Sequence, residues 1–258
     1  MDALSSVRAT LAERWLFNFR LPPEVLASYL PVNWLVPQCF KGYAVASFCV
    51  LDLRNVMAGP LPRRLGVDSL CCAPRYGVID LSGDLPEPAV FMTGRRTDSL
   101  LGAWFMRSAF AAVRPSASTR VDRHGGSTTI QIWDADDQLL FAASVQPAER
   151  HDSQAFNTAG DFADFIAGGV SSYGLCARPG RLSKVDLYKP NTPYQPRAAT
   201  MLAGSVVQQW QAAGGVLDSV FWTSGGEYRW VYNGLTAPEP LRHQRPEGPP
   251  GSRSAARI

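Results

Sequence analysis

The residues of this chain best equipped for chemistry are its arginines. Of 25 basic side chains only Lys41, Lys184 and Lys189 are lysines, and the other 22 are arginines. A guanidinium is a permanent cation with a planar fork of donors. It holds a carboxylate well but is a poor nucleophile. Arg20, at the end of the apolar run RWLFNFRL, shares a face with Asn18 and is the first candidate. Arg75, Arg95 and Arg96 form a second set. Beside a cavity they would select anions by charge and fork geometry; otherwise they are solvated or pair with Asp80 and Asp98. Asp52 and Arg54 fall on one strand face with Asp68 expected nearby. A carboxylate against an apolar wall has a raised pKa and suits general acid or base work. The alternative is an ion pair at the rim of a barrel. Cys71 and Cys72 are adjacent, so one thiol can enter a cavity and the other the outer core; the plainer alternative is two small buried hydrophobes. Lys189, in DLYKP, reads either as a displaced amine or as an exposed lysine at a strand end.

Other chemistries lack their residues. His124 is in a turn, His151 in a polar loop and His243 near the C-terminus, without metal-ligand spacing. Serine and cysteine nucleophiles have no histidine in a suitable context. No GxSxG, GxGxxG or phosphate loop occurs. No cofactor and no metal are therefore expected. The net charge of +3 owes much to Arg242, Arg245, Arg253 and Arg257, and no basic stripe exists, so nucleic acid is not an expected partner. No apolar run is long enough to span a bilayer, and MDALSSVRATLAERW lacks the apolar core of a signal peptide. Five cysteines, an odd number with apolar neighbours, point to free thiols in a reducing cytoplasm.

The positioning elements are mostly strands. Along 14–21, Trp15, Phe17, Phe19 and Leu21 alternate with Arg14, Leu16, Asn18 and Arg20. Pro22 and Pro23 open a short helix. Residues 42–56 form a long strand whose one face carries Ala44, Ala46, Phe48, Val50, Asp52 and Arg54, running from core towards a cavity mouth or solvent. Further strands are predicted at 67–82 and 89–94, a helix at 98–112, a meander at 117–123, 127–134 and 139–147, a helix at 160–169, a strand at 181–189, mixed structure at 199–212, and a last pair at 216–223 and 227–233. One domain over 1–235 is expected, followed by a Pro-, Gly- and Arg-rich tail, 236–258, too polar to order itself. Many strands and few short helices give an α+β, mainly β class: a barrel or cone with helices over its openings and room for one small ligand.

Three stretches carry a resemblance. FNFRLPPEVLASYLPVNW followed by KGYAVASFCVLDL, then PRYGVIDLSGDLPEPAVFM, then VFWTSGGEYRWVYNG together resemble the acetoacetate decarboxylase-like superfamily over about residues 10–235, most of all a branch of bacterial proteins of unknown function. The resemblance implies an antiparallel β-barrel or cone enclosing a ligand cavity, with oligomerisation common. Arg20 sits where the family places a cavity arginine that anchors a substrate carboxylate. The decarboxylases also use a glutamate, where this chain has Cys71 and Cys72 in DSLCCAPRYGV. Their amine nucleophile is a lysine activated by a neighbouring cation. It follows a Gly-Arg pair; here Gly94 and Arg95 match in TGRRTDSLLGAW, but no lysine follows.

Two readings follow. The first is an enzyme without Schiff-base chemistry acting on a small or polyketide-like β-keto or enolisable carboxylate by isomerisation, dehydration, cyclisation or decarboxylation. Arg20, Arg75 and Arg95 would be its catalytic residues, and Arg20, Asp52, Cys72 and Phe48 would contact substrate. The second is a non-catalytic binding protein for an apolar anion. An assembly role, as a homo-oligomer, is a plainer third.

Overall fold

The computed structural model describes residues 5–237 except 60, 108, 109, 111, 112, 116, 117, 177 and 179. In chain order the elements are β1 (Ser6–Leu21), α1 (Pro23–Tyr29), β2 (Leu35–Pro37), β3 (Cys39–Phe40), β4 (Tyr43–Ala58), β5 (Val67–Asp80), β6 (Glu87–Met92), β7 (Arg95–Thr97), α2 (Leu100–Met106), β8 (Val113–Pro115), β9 (Ser118–His124), β10 (Ser127–Trp133), β11 (Leu139–Pro147), α3 (Ala159–Gly168), β12 (Ser171–Leu175), β13 (Leu182–Tyr188), β14 (Gln195–Ala203), α4 (Ser205–Ala212), β15 (Val216–Ser224) and β16 (Glu227–Leu235).

Local sequence explains many of the boundaries. Pro23 begins α1, where a missing N–H costs nothing. Ser99 caps α2 by accepting from the Gly102 N–H, and Thr158 with Asp161 forms a reciprocal capping box on α3. The β9–β10 hairpin turns on Gly125 and Gly126 at φ +56° and +81°, a conformation costly for other residues. Of the helix predicted over 98–112, Leu100–Met106 is helical and Val113–Pro115 beyond it pairs in parallel with Arg95–Thr97; residues 108, 109, 111 and 112 lie outside the described residues. The short strands β2, β3, β7, β8 and β12 had no usable period of their own; pairing makes them strands, with longer neighbours for β2, β3, β7 and β12 and with β7 for β8. Thr236, predicted to begin the tail, is tied down: its hydroxyl accepts from the Leu182 N–H at 2.9 Å. The remainder of the predicted tail, from 238, lies outside the described residues.

All strands join one mixed sheet. Its path runs β4-β5-β6-β12-β13-β16-β1, and β1 also pairs with β4, so seven strands close into a ring. β1 serves two assemblies. Its first residues, Ser6–Thr10, pair with β16, and Glu13–Arg20 pair with β15, which leads an arm of β14, β11, β10 and β9. The largest core cluster sits on one face of these strands and includes Trp15, Phe17, Phe19, Phe48, Phe141 and Trp210. A second cluster, with Val7, Leu53, Cys71, Tyr228 and Trp230, sits at the ring. A third packs α3 through Phe162 and Ile166 against Leu16, Cys49 and Phe221. Both faces of β1 are therefore buried, although its sequence alternates.

Candidate active site

The ring has a hollow interior. A cavity of about 70 Å³, room for on the order of five waters by the same measure, is lined from every ring strand: Val7, Leu53, Ala73, Met92, Ser172, Leu187 and Tyr228 each contribute. Arg14, Arg75, Arg95 and Arg96 also line it. Strand register explains two of these. Arg14 on β1 is opposite Leu51 on β4, and Arg75 on β5 is opposite Ser47 of the same β4 face. That face is the one carrying Arg14, Leu16, Asn18 and Arg20, not the aromatic one.

Arg14 is 1% exposed. Its Nη1 donates to the Tyr194 hydroxyl at 3.1 Å, while its Nε is buried without a partner. Burial lowers its pKa, but Tyr194, Cys49 and Tyr228 beside it raise it further, so it stays a cation. The Nε of Arg75 is likewise buried without a partner, and burial first, then Arg14, lower its pKa. The Cys49 thiol, and after it Tyr194, favour its charge. Arg95 donates from Nη2 to the Ser172 hydroxyl at 3.2 Å and lies over the Phe110 ring at 4.1 Å. Burial and then Arg75 push it down to about 9. Arg75 and Arg95 keep some exposed surface, yet burial is still the leading influence on both. Space for Arg95 comes from Gly174, where a Cβ would stand 3.1 Å from its Nη1.

Among the described residues, no carboxylate pairs with Arg14, Arg75 or Arg95. A buried unpaired charge costs several kcal/mol unless something compensates it. Among the described residues the cavity lining includes no carboxylate and no histidine; its protic groups besides the guanidiniums are the Tyr228 and Ser172 hydroxyls, the Trp230 indole N–H and the thiols of Cys49, Cys71 and Cys72. The Tyr228 hydroxyl is buried without an aligned partner. Burial pushes Cys71 up to about 12 and Cys72 higher still, so both are neutral at pH 7. A second space of about 10 Å³, the size of one water, adjoins Arg75 beneath Phe165 and Ile166 of α3.

Of the residues singled out in the sequence, Arg75, Arg95 and Cys72 line the cavity, as does Arg96. Arg20, Asp52 and Phe48 do not. Arg20 was expected to face the cavity and is instead engaged elsewhere: its Nε is 3.1 Å from Asp218, its Nη1 donates to Gln154 at 2.6 Å, and its guanidinium lies over Tyr43 at 4.8 Å. The cause is a bulge. Opposite Asn18–Phe19 the register skips from Ser219 to Leu217, which makes Asp218 the extra residue and turns it to Arg20. Asp52 pairs with Arg54 at 3.0 Å, and Arg54 with Asp68 at 2.9 Å, the rim ion pair offered as the alternative. Burial raises the Asp52 pKa against the pull of Arg54. Phe48 stacks on Phe141 at 4.1 Å in the main core, on the opposite face of β4. Lys189 is half-buried after β13; burial, then Arg14 and Arg75, push it down to about 8. Arg14, Tyr228 and Cys49 were missed. The one available signal was Leu16, an apolar residue between Arg14 and Asn18 on the face that also carries Arg20.

The chain matches no family profile and no curated protein. Solved structures share its fold. Acetoacetate decarboxylase from Legionella pneumophila subsp. pneumophila str. Philadelphia 1 aligns with a TM-score of 0.63 at 10% identity, over 90% of this chain and 87% of that one. An acetoacetate decarboxylase-like enzyme from Sphingomonas wittichii RW1 aligns at 0.56 and 12%, over 91% and 93%. The enduracididine biosynthesis enzyme MppR complexed with pyruvate aligns at 0.55 and 13%, over 90% and 89%. The fold is thus that of acetoacetate decarboxylase and its structural relatives.

Proposed function

We propose that this chain is an acetoacetate decarboxylase-like enzyme that works without a Schiff-base lysine on a small β-keto or enolisable carboxylate. One observation carries the reading: of the four guanidiniums that line one cavity, Arg14, Arg75 and Arg95 have no carboxylate to pair with among the described residues. An anionic ligand would supply the missing charge. In this proposal the anchoring role expected of Arg20 passes to Arg14, assisted by Tyr194 and Tyr228. Arg75 and Arg95 stabilise the negative charge that develops on the substrate oxygen as an enolate forms, by cations already in place.

The protic groups set the direction of proton movement. Lacking a carboxylate or imidazole, the cavity has no evident base, whereas the Tyr228 hydroxyl and the neutral thiols can donate. That balance suits steps that create an enolate by loss of a group and then protonate it. In a decarboxylation of this kind the bond to the carboxyl carbon breaks, its electron pair moves onto the carbonyl to form the enolate, carbon dioxide leaves, and a proton returns to carbon. Isomerisation, dehydration and cyclisation would draw on the same cations, but they form the enolate by giving up an α-proton and so require a base from outside this lining. A pyruvate complex of MppR, in the same fold, supports a small carboxylate as a reasonable first probe.

A second reading has its own support. The depressed pKa of Lys189 is a property of amine nucleophiles, although this side chain is not part of the cavity lining. Mass-spectrometric turnover of β-keto acids and enolisable carboxylates, with borohydride added in parallel, separates the alternatives. The proposal expects product from wild type, at least about 100-fold less from Arg14→Met or Arg75→Met, and no borohydride-stable adduct. An adduct on Lys189 would replace it with amine catalysis. Tight binding without product would leave a binding protein.

A further inference from the structure

Three of the guanidiniums that line the cavity come from different strands, Arg14 from β1, Arg75 from β5 and Arg95 from β7; Arg96, also on β7, is the fourth. Arg14 is rooted on β1 and held by Tyr194. The Arg95 guanidinium is held at β12 by Ser172, with Gly174 of the same strand leaving it room. In the closed order β1-β4-β5-β6-β12-β13-β16, strands β1 and β12 lie on opposite sides of the ring. Arg75, on β5, lies between them around the wall and neighbours both, for it is the charge that acts on Arg95 and is itself acted on by Arg14. A single carboxylate at either end would leave the far cation buried without a counter-charge.

We infer that the ligand is a small dicarboxylate, with one carboxylate on Arg14 beside Tyr228 and the other on Arg95 beside Ser172, while Arg75 faces the middle of the molecule. This inference rests on the anionic cavity proposed above and adds the number and spacing of the charges. It also explains why the lining between the ends is apolar, with Leu51, Leu53, Ala73 and Met92: these residues suit the short carbon chain joining two carboxylates. A point dianion such as phosphate would concentrate its charge at one end.

Isothermal titration of the full chain tests it with unreactive probes: malonate, succinate and glutarate, then acetate, propionate and valerate, then inorganic phosphate. The best dicarboxylate should bind at least about tenfold tighter than the best monocarboxylate, and phosphate no tighter than the monocarboxylate. Arg95→Met should reduce that preference to about twofold. Arg95→Lys, which keeps a cation but loses the fork, should give an intermediate ratio and provides the comparison if the methionine variant melts early. Equal affinity for mono- and dicarboxylates overturns the two-ended site while the anionic cavity stands. Tighter phosphate than dicarboxylate overturns it in favour of a point-charge site. No binding by any probe overturns both this inference and the reading beneath it.

Discussion

At the scale of single residues, this protein carries cations where its packing alone would not favour them. Arg75 and Arg95 are both pushed down from the ordinary guanidinium range, first by burial and then by a neighbouring cation, Arg14 for Arg75 and Arg75 for Arg95. Lys189 offers the cleanest measurement, because its folded value of about 8 is within reach of ordinary buffers. An unfolded lysine titrates near about 10.4. Between those values the unfolded chain holds a proton that the folded chain has released. Stability from this group therefore rises with pH across that window and is at its worst below about 8. Lys189→Met should accordingly be more stable than wild type at pH 7, by about 1–2 kcal/mol after allowing for partial exposure. That advantage should shrink as pH approaches 10 in parallel urea melts. A difference that stays constant with pH would mean that neither burial nor Arg14 and Arg75 depress Lys189 in the folded chain.

At the scale of elements, the bulge in β15 decides what Arg20 does. Asp218 accepts from the backbone N–H groups of Gln154 and Ala155 at 2.9 and 3.2 Å and from the Ser153 hydroxyl, and it pairs with Arg20. One bulged carboxylate thus pins the loop before α3 to β1 and β15. Arg20→Ala should destabilise the fold by about 1–3 kcal/mol, since Asp218 is left with its backbone partners but without its counter-charge. The same variant should keep its carboxylate affinity within about twofold, because Arg20 does not line the cavity. Titration calorimetry showing affinity lost without a change in melting would return Arg20 to the ligand site.

At the scale of the whole molecule, a ligand that binds inside a closed ring binds the folded chain only. A carboxylate at 100 times its Kd should then add about 2.7 kcal/mol, raising the melting temperature by roughly 5–10 °C for a chain of this size. Arg14→Met should abolish the shift. A shift unchanged in that variant would place the ligand elsewhere.

The extent of what was legible follows the range of the interactions. Alternation, proline and glycine placement and N-cap residues act over a few positions, so the strands at 127–134, 139–147 and 216–223, the helix after Thr158 and the barrel-like class were readable from the sequence. So was the absence of a lysine after Gly94 and Arg95. The sequence also marked Arg75, Arg95 and Cys72, which line the cavity. It did not mark Arg14 and favoured Arg20, because the two share one face of β1 in the alternation and only the resemblance singled out Arg20; the bulge opposite Asn18–Phe19 that separates their surroundings leaves no mark in the period. Closure of β1 onto both β4 and β16 buried both faces, and a single unpaired residue in β15 gave Arg20 a carboxylate while Arg14 kept none. Those outcomes depend on register and ring closure between residues some 200 positions apart, and only the tertiary structure holds that information.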